Sequence, residues 1–276
     1  MRASYAILCL LVCLAAGADA RTWHVPGDAP TIQAGLDLAA TADTVLVGAG
    51  VHFEHDLLVT SGVVLRGETG LADGVIIDAQ SQGRLLAAVA VADTVVVEGI
   101  TFRNGLATGA GDSSCGGAVH LVQTSARFRD CAFLDNTAEA AGGALHADGC
   151  ALVELIDCDL SNNTARAPGY PAQGGAVAAF AYPTDGSLVL RRCNLDGNLS
   201  GGPGGAVYLD DGNLFLTDTD VTGSRSGQES WPAGAGVFVR RASASPGGAG
   251  APDLLVRISG CRFVDNAGRL VEAPDG

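Results

Sequence analysis

Lysine is absent from this sequence, whose 16 basic residues, all arginine, face 30 acidic ones for a formal net charge of −14. An acidic chain without a basic cluster repels phosphate backbones, so no nucleic-acid partner is expected and binding to an anionic membrane surface is disfavoured. Aromatic residues are scarce at 5% and charged ones at 17%, whereas 39 residues are glycine. That balance suits short stacked strands joined by tight turns and argues against a helical core. No CxxC or CxH zinc spacing occurs, and no metal site is assigned. After residue 20 no apolar run approaches the roughly 20 residues that a membrane helix requires, so no transmembrane segment is expected in the mature chain.

The first twenty residues, MRASYAILCLLVCLAAGADA, set one positive charge ahead of an apolar run and close on Ala18, Asp19 and Ala20. This is the layout of a cleaved secretory signal, which predicts a mature chain from Arg21 and an extracellular or cell-surface location. Its removal takes Arg2 and Asp19 together, so the charge stays at −14. Residues 21–276 are then expected to form one domain, with an N-terminal cap over 21–44 and coils over 45–276.

What the chain has in abundance is a repeat. Aligned on a cysteine, it reads as apolar at −5 and −3, apolar at +2, and Asn at +5. The copies are Ala126, Phe128, Cys131, Phe133, Asn136; Val153, Leu155, Cys158, Leu160, Asn163; and Leu188, Leu190, Cys193, Leu195, Asn198. A degenerate copy follows with Leu214, Leu216, Thr219, Val221, Ser224, and Val256, Ile258, Cys261, Phe263, Asn266 restore the pattern. Alternation of period two within each half predicts short strands with one buried face, and the break before the cysteine predicts a bend. A third strand opens with Gly-Gly-Ala-Val or a variant at Gly116, Gly142, Gly174, Gly204 and Gly234. A coil of three short strands cannot bury its own apolar face, so neighbouring coils must stack and share a core. The prediction is an all-β, single-stranded right-handed parallel β-helix, a solenoid. At the corners the Asn residues are expected to tolerate strained backbone and to hydrogen-bond in a ladder.

The pairing of GGA[VL] with [FL]xxN resembles the repeats of chlamydial polymorphic outer-membrane proteins, within the right-handed parallel β-helix proteins of the pectate-lyase-like superfamily. The resemblance covers roughly residues 99–266 and implies the fold and a bacterial surface role; it implies little about activity. The opening WHVPGDAPTIQAGLDLAATADTVLVGAGVHFE is similar to the start of many secreted bacterial β-helix proteins. Physically, Pro30 and Thr31 begin a short helix with Ile32, Leu36 and Ala39 on one face, which would shield the first sheet edge. After Asn266 only AGRLVEAPDG remains, so this reading expects either docking at that end or further sequence beyond it.

Cys131, Cys158 and Cys193 fall at one inward position on consecutive coils and are expected to be buried free thiols. In the GGAV strand the residues that alternate with the apolar pairs should point outward: His120, His146, Ala178, Tyr208 and Phe238. With Tyr170 and Trp231 on adjoining loops, the rings among them form the expected ligand-binding face, since exposed aromatics along a groove stack on sugar rings. His120 and His146 give two metal ligands without a third. The weak catalytic candidates are Asp210 and Asp211, the adjacent carboxylates of the repeats; the Gly-His-Gly, Arg-x-Lys and pectate-lyase arginine motifs of the enzymatic relatives are missing. Asp135, Asp196 and Asp265 recur near the Asn positions and are read as a solvated corner, with calcium binding as the alternative and no cofactor assigned. The functional expectation is a secreted or cell-surface scaffold, non-catalytic, binding polysaccharide or a surface protein along one face. The alternative is a carbohydrate-active enzyme, either a polysaccharide lyase or a glycoside hydrolase.

Overall fold

A computed structural model describes residues 19–166, 172–181, 186–227, 234–240 and 255–268. The chain winds through four parallel sheets of nine, eight, six and seven strands, the expected right-handed parallel β-helix. One turn shows the plan. Ala126–Arg129 lies in the first sheet, Ala132–Leu134 in the second, Thr137–Ala138 in the third and Leu145–Asp148 in the fourth, after which Leu152–Ile156 re-enters the first. The sequence pattern anticipates three strands per coil. The fourth is the two-residue piece after the Asn, too short to show a period of its own.

Register follows the repeat. Phe128 pairs with Leu155, Leu155 with Leu190, Leu190 with Leu216, and Leu216 with Ile258. These residues, apart from Ile258, lie in one continuous core with Phe133, Leu160, Leu195 and Val221. Phe102 and Phe133 stack with ring centroids 5.4 Å apart. Ile258 and Phe263, in the last described coil, are exposed.

The Asn ladder is present and fully buried at Asn136, Asn163 and Asn198. Asn136 Nδ2 donates to Asn163 Oδ1 at 3.0 Å, and Asn163 Nδ2 donates to Asn198 Oδ1 at 3.1 Å. Each side chain also ties down backbone: Asn163 Nδ2 donates to Phe133 O, while Asn163 Oδ1 accepts from Asn136 N. The strained corner lies one residue earlier than expected. Asp135, Asn162, Gly197, Gly223 and Asp265 carry positive φ, which Asn, Asp and Gly tolerate, so the ladder Asn is free to turn inward. Asn198 opens an Asn-Leu-Ser glycosylation sequon, and its full burial is incompatible with a glycan there.

Cys131, Cys158 and Cys193 are free and buried. Their Sγ atoms lie 3.2, 3.3 and 3.4 Å from Arg129 O, Ile156 O and Arg191 O. Hydrogen bonding between the stacked thiols, together with burial, pushes Cys158 and Cys193 well above the ordinary thiol range. In the degenerate coil Thr219 and Ser224 occupy the cysteine and Asn positions and are equally buried.

The capping helix runs Ile32–Leu38, with Thr31 as N-cap and Ile32 and Leu36 buried. Glu54 accepts from Ile32 N and Gln33 N, satisfying first-turn amides. The Gln33 amide bonds both Leu58 N and Leu58 O, so one side chain closes part of the outermost strand edge of the fourth sheet. Within the expected cap, Thr22–Val25 pairs in parallel with Thr44–Val47 at the end of the first sheet. No helix among the described residues is long and apolar enough to cross a membrane.

Candidate functional site

The outer side of the fourth sheet is where the sequence places its candidates, and strand alternation gives that side two columns. One runs His120, His146, Ala178, Tyr208, Phe238, and the other Val122, Asp148, Phe180, Asp210, Arg240, each paired in register from coil to coil. The first column does turn away from the central core, but it is not the exposed floor expected. His120 is 4% exposed, His146 6%, Tyr208 2%, and Ala178 fully buried. Ala178 and Tyr208 pack with Cys115 and Ala141 into a second apolar cluster, flanked by Phe180 and Phe238. The correction has a physical cause: outward on a strand means away from the central core, and here a second layer lies over it.

The rings form an unbroken column. Centroid separations are 5.1 Å for His120 to His146, 5.3 Å for His146 to Phe180, 5.4 Å for Phe180 to Tyr208 and 5.7 Å for Tyr208 to Phe238. Ala178 does not interrupt it, because Phe180 reaches over from the second column. The sequence reading missed Phe180, although its position two residues after Ala178 marks it as outward. Tyr170 and Trp231 lie outside the described residues.

A buried arginine gathers a charged cluster at one end of this face. Arg84 Nη2 donates to the carbonyls of Asp112, Ser113 and Cys115, and its Nε to those of Cys115 and Gly116. Burial lowers its pKa. These bonds hold the loop bearing Asp112 over the histidines. Burial, then Arg84, depresses His120 to about 4; burial, then His120 and Arg84, depresses His146 to about 3. Asp148 is raised, by partial desolvation and by the negative charge of Asp112. Cys115 is raised first by burial and then by Asp112. None of Arg84, Asp112 or Asp148 was singled out from sequence, because the loop that gathers them follows no period; Cys115 and Cys150, which no spacing in the sequence pairs, are both buried thiols.

Asp210 and Asp211 do not form a converging acid and base. Asp210 is buried, ion-paired with Arg240 on the next coil and bonded by the Tyr208 hydroxyl at 3.3 Å. Desolvation, followed by the Asp210 charge, raises Tyr208 to about 12. Asp211 occupies a corner with positive φ. The aspartates weighed for calcium do not stack: Asp135 is followed on the next coils by Asn162 and Gly197, while Asp196 accepts from Thr222 Oγ1. Among the described residues no three His, Cys, Asp or Glu side chains converge on one point.

No protein-family model and no curated protein matches the chain. Solved structures do align with it. A pectin methylesterase in complex with a hexasaccharide aligns at 16% identity and TM-score 0.41, over 81% of this chain and 70% of its own. An alginate lyase of family PL6, AlyGC, aligns at 10% identity and TM-score 0.39, over 89% of this chain and 40% of its own. The pectin methylesterase from Aspergillus niger aligns at 12% identity and TM-score 0.38, over 92% and 86%. At these levels the likeness concerns the winding of the chain and says nothing of chemistry.

Proposed function

We propose that this chain is an exported, non-catalytic β-helix scaffold that binds polysaccharide along the rim of its fourth sheet. The observation that carries the reading is apolar surface at that rim: Val89, 53% exposed, and half-buried Val122 and Phe180 in the second column, with half-buried Phe238 at the end of the first. Asp148 and the Asp210–Arg240 pair lie in the same outward column as Val122 and Phe180. Apolar surface for sugar faces beside polar groups for hydroxyls is the composition of a carbohydrate groove. The rim replaces the covered rings of Tyr208, His120 and His146 as the contact surface. Export is supported by the signal-like residues 1–20, and a surface role by the GGA[VL] and [FL]xxN repeats.

Asp148 supports the enzymatic alternative, because a carboxyl with raised proton affinity beside a second carboxylate is the equipment of general acid catalysis. A polysaccharide panel separates the two, assayed for binding and for new reducing ends or unsaturated products. Binding without turnover, weakened about tenfold in a folded Phe180→Ala/Phe238→Ala double variant, is expected, since two lost ring contacts amount to roughly 1.4 kcal/mol. Turnover abolished by Asp148→Asn would replace the scaffold reading with the enzyme.

A further inference from the structure

The first strand of the fold carries a feature that polysaccharide binding leaves unused. Thr22–Val25 is the outermost strand of the first sheet, paired on one side only, and the residue before it is held from three directions. Arg21 N donates to Asp43 Oδ1 at 2.7 Å, Arg21 O accepts from Thr44 N at 2.7 Å, and the Arg21 guanidinium lies 3.7 Å from the centre of the Trp23 ring. Asp43 is 8% exposed. Its Oδ2 accepts from Trp23 Nε1 at 3.1 Å and from Ala40 N at 3.0 Å, which leaves Oδ1 to Arg21 N. The preceding Asp19 and Ala20 are exposed and form no hydrogen bond among the described residues. Anchoring therefore begins at one peptide bond, Ala20–Arg21, which is also where the signal-like residues 1–20 close.

We propose that the Asp43 carboxylate is a capture site for the α-ammonium group freed at Arg21 on export, so that processing locks the outermost strand onto the fold. Resting on the export reading, the step is a hydrolysis by an endopeptidase of the export route. Water adds across the Ala20–Arg21 bond: its hydroxyl completes the Ala20 carboxyl group, and its hydrogen goes to the Arg21 nitrogen. The amine so formed, with an ordinary pKa of about 7.7–8.0, takes up a further proton at neutral pH. What was an amide donating to a carboxylate becomes a full ion pair, with the carboxylate already oriented by Trp23 and Ala40. Arg21 is exposed, so the remaining ammonium hydrogens reach water and no donor is buried unpaired. A terminus one residue longer moves its ammonium roughly 3.5 Å along the chain and leaves an amide at Oδ1. The gain falls where the fold needs it, because a fraying first strand would bare the edge of Thr44–Val47.

Three forms of the mature chain with defined N-termini test this: one beginning at Arg21 with a free amine, one with that amine acetylated, and one beginning at Ala20. The first is expected to melt a few degrees higher than the other two and to show the slowest amide exchange in Thr22–Val25. In an Asp43→Asn background the three should melt together. Acetylation leaves Asp43 untouched, so the first comparison stands even where the Asp43 variant folds poorly. Equal melting of the three forms with Asp43 intact would overturn the capture. Protein secreted from the full-length precursor is expected to begin at Arg21 on N-terminal sequencing. A different first residue would overturn the assigned bond while leaving export standing, whereas an uncleaved chain retained in the cell would overturn the export reading as well.

Discussion

The protein has two buried layers, and they are built on different principles. The inner stack is filled by one residue type per position on coil after coil: aliphatic or Phe at −3, Cys or Thr at the bend, Asn or Ser at the ladder. Every coil templates the next, so polar groups there are satisfied by identical neighbours, as the Asn ladder shows. The outer layer over the fourth sheet is irregular: two histidines, an alanine, a tyrosine and a phenylalanine share one column. Among the described residues two of its imidazole nitrogens, His120 Nε2 and His146 Nδ1, have no hydrogen-bond partner. The contrast teaches where specificity resides. Repetition lets identical neighbours satisfy the polar groups of the inner stack, whereas the outer layer is assembled from unlike residues and aperiodic loops.

The sharpest way to break the comparison is to charge the inner stack. Phe128→Asp or Leu155→Asp places an unpaired carboxylate between coils, and the expected result is loss of folded protein, read by circular dichroism and protease resistance. By contrast, Phe238→Asp in the half-buried outer column should leave the fold intact.

Acid should attack the outer layer before the inner one. The folded-state pKa values of His120 and His146, about 4 and about 3, lie below the unfolded value of 6.5. The unfolded chain therefore binds more protons in that window, and stability falls as pH drops from about 6.5 towards 4. Full stability is present above it. The loss measured by urea unfolding should be a few kcal/mol, and His120→Phe/His146→Phe should flatten the profile. Carboxylates held low by arginine, Asp157 by Arg192 and Asp220 by Arg262, act only below their ordinary value of 3.8.

Breaking the ladder sharpens the contrast from the inner side. Asn163→Leu removes the acceptor of Asn136 N and Asn136 Nδ2 and the donor to Phe133 O. A cost of about 2–4 kcal/mol is expected in chemical denaturation, since buried groups lose their partners. Asn266→Leu, half-buried and bonded only to Ser224 N and Val221 O, should cost less.

The smallest effect concerns reactivity. Cys131, Cys158 and Cys193 should stay unmodified by a thiol reagent in native protein, whereas Cys261, half-exposed, should react first. Mass spectrometry of labelled peptides would check the order.

Much of the inner stack was legible because its rules are local and recur. Period-two alternation identified Phe128, Leu155, Leu190 and Leu216, and the cysteine frame placed the bends. Earlier coils were less legible: Leu57–Val59 and Leu86–Val89 lack the Gly-Gly that opens the later strands of the same sheet, so nothing aligned them. The outer layer was half legible. Alternation put His120, His146 and Tyr208 on the correct side of the strand, but their burial depends on aperiodic loops, and so did the gathering of Arg84, Asp112 and Asp148.

Whether the outer column is a second core or a solvent-facing floor is the question on which the account turns, and imidazole titration answers it directly. Nitrogen-resolved spectra followed from pH 8 downwards should show His120 and His146 neutral until the pH approaches about 4. Protonation of either ring near the ordinary 6.5 in folded protein would mean that water reaches the column, and would contradict the covered layer.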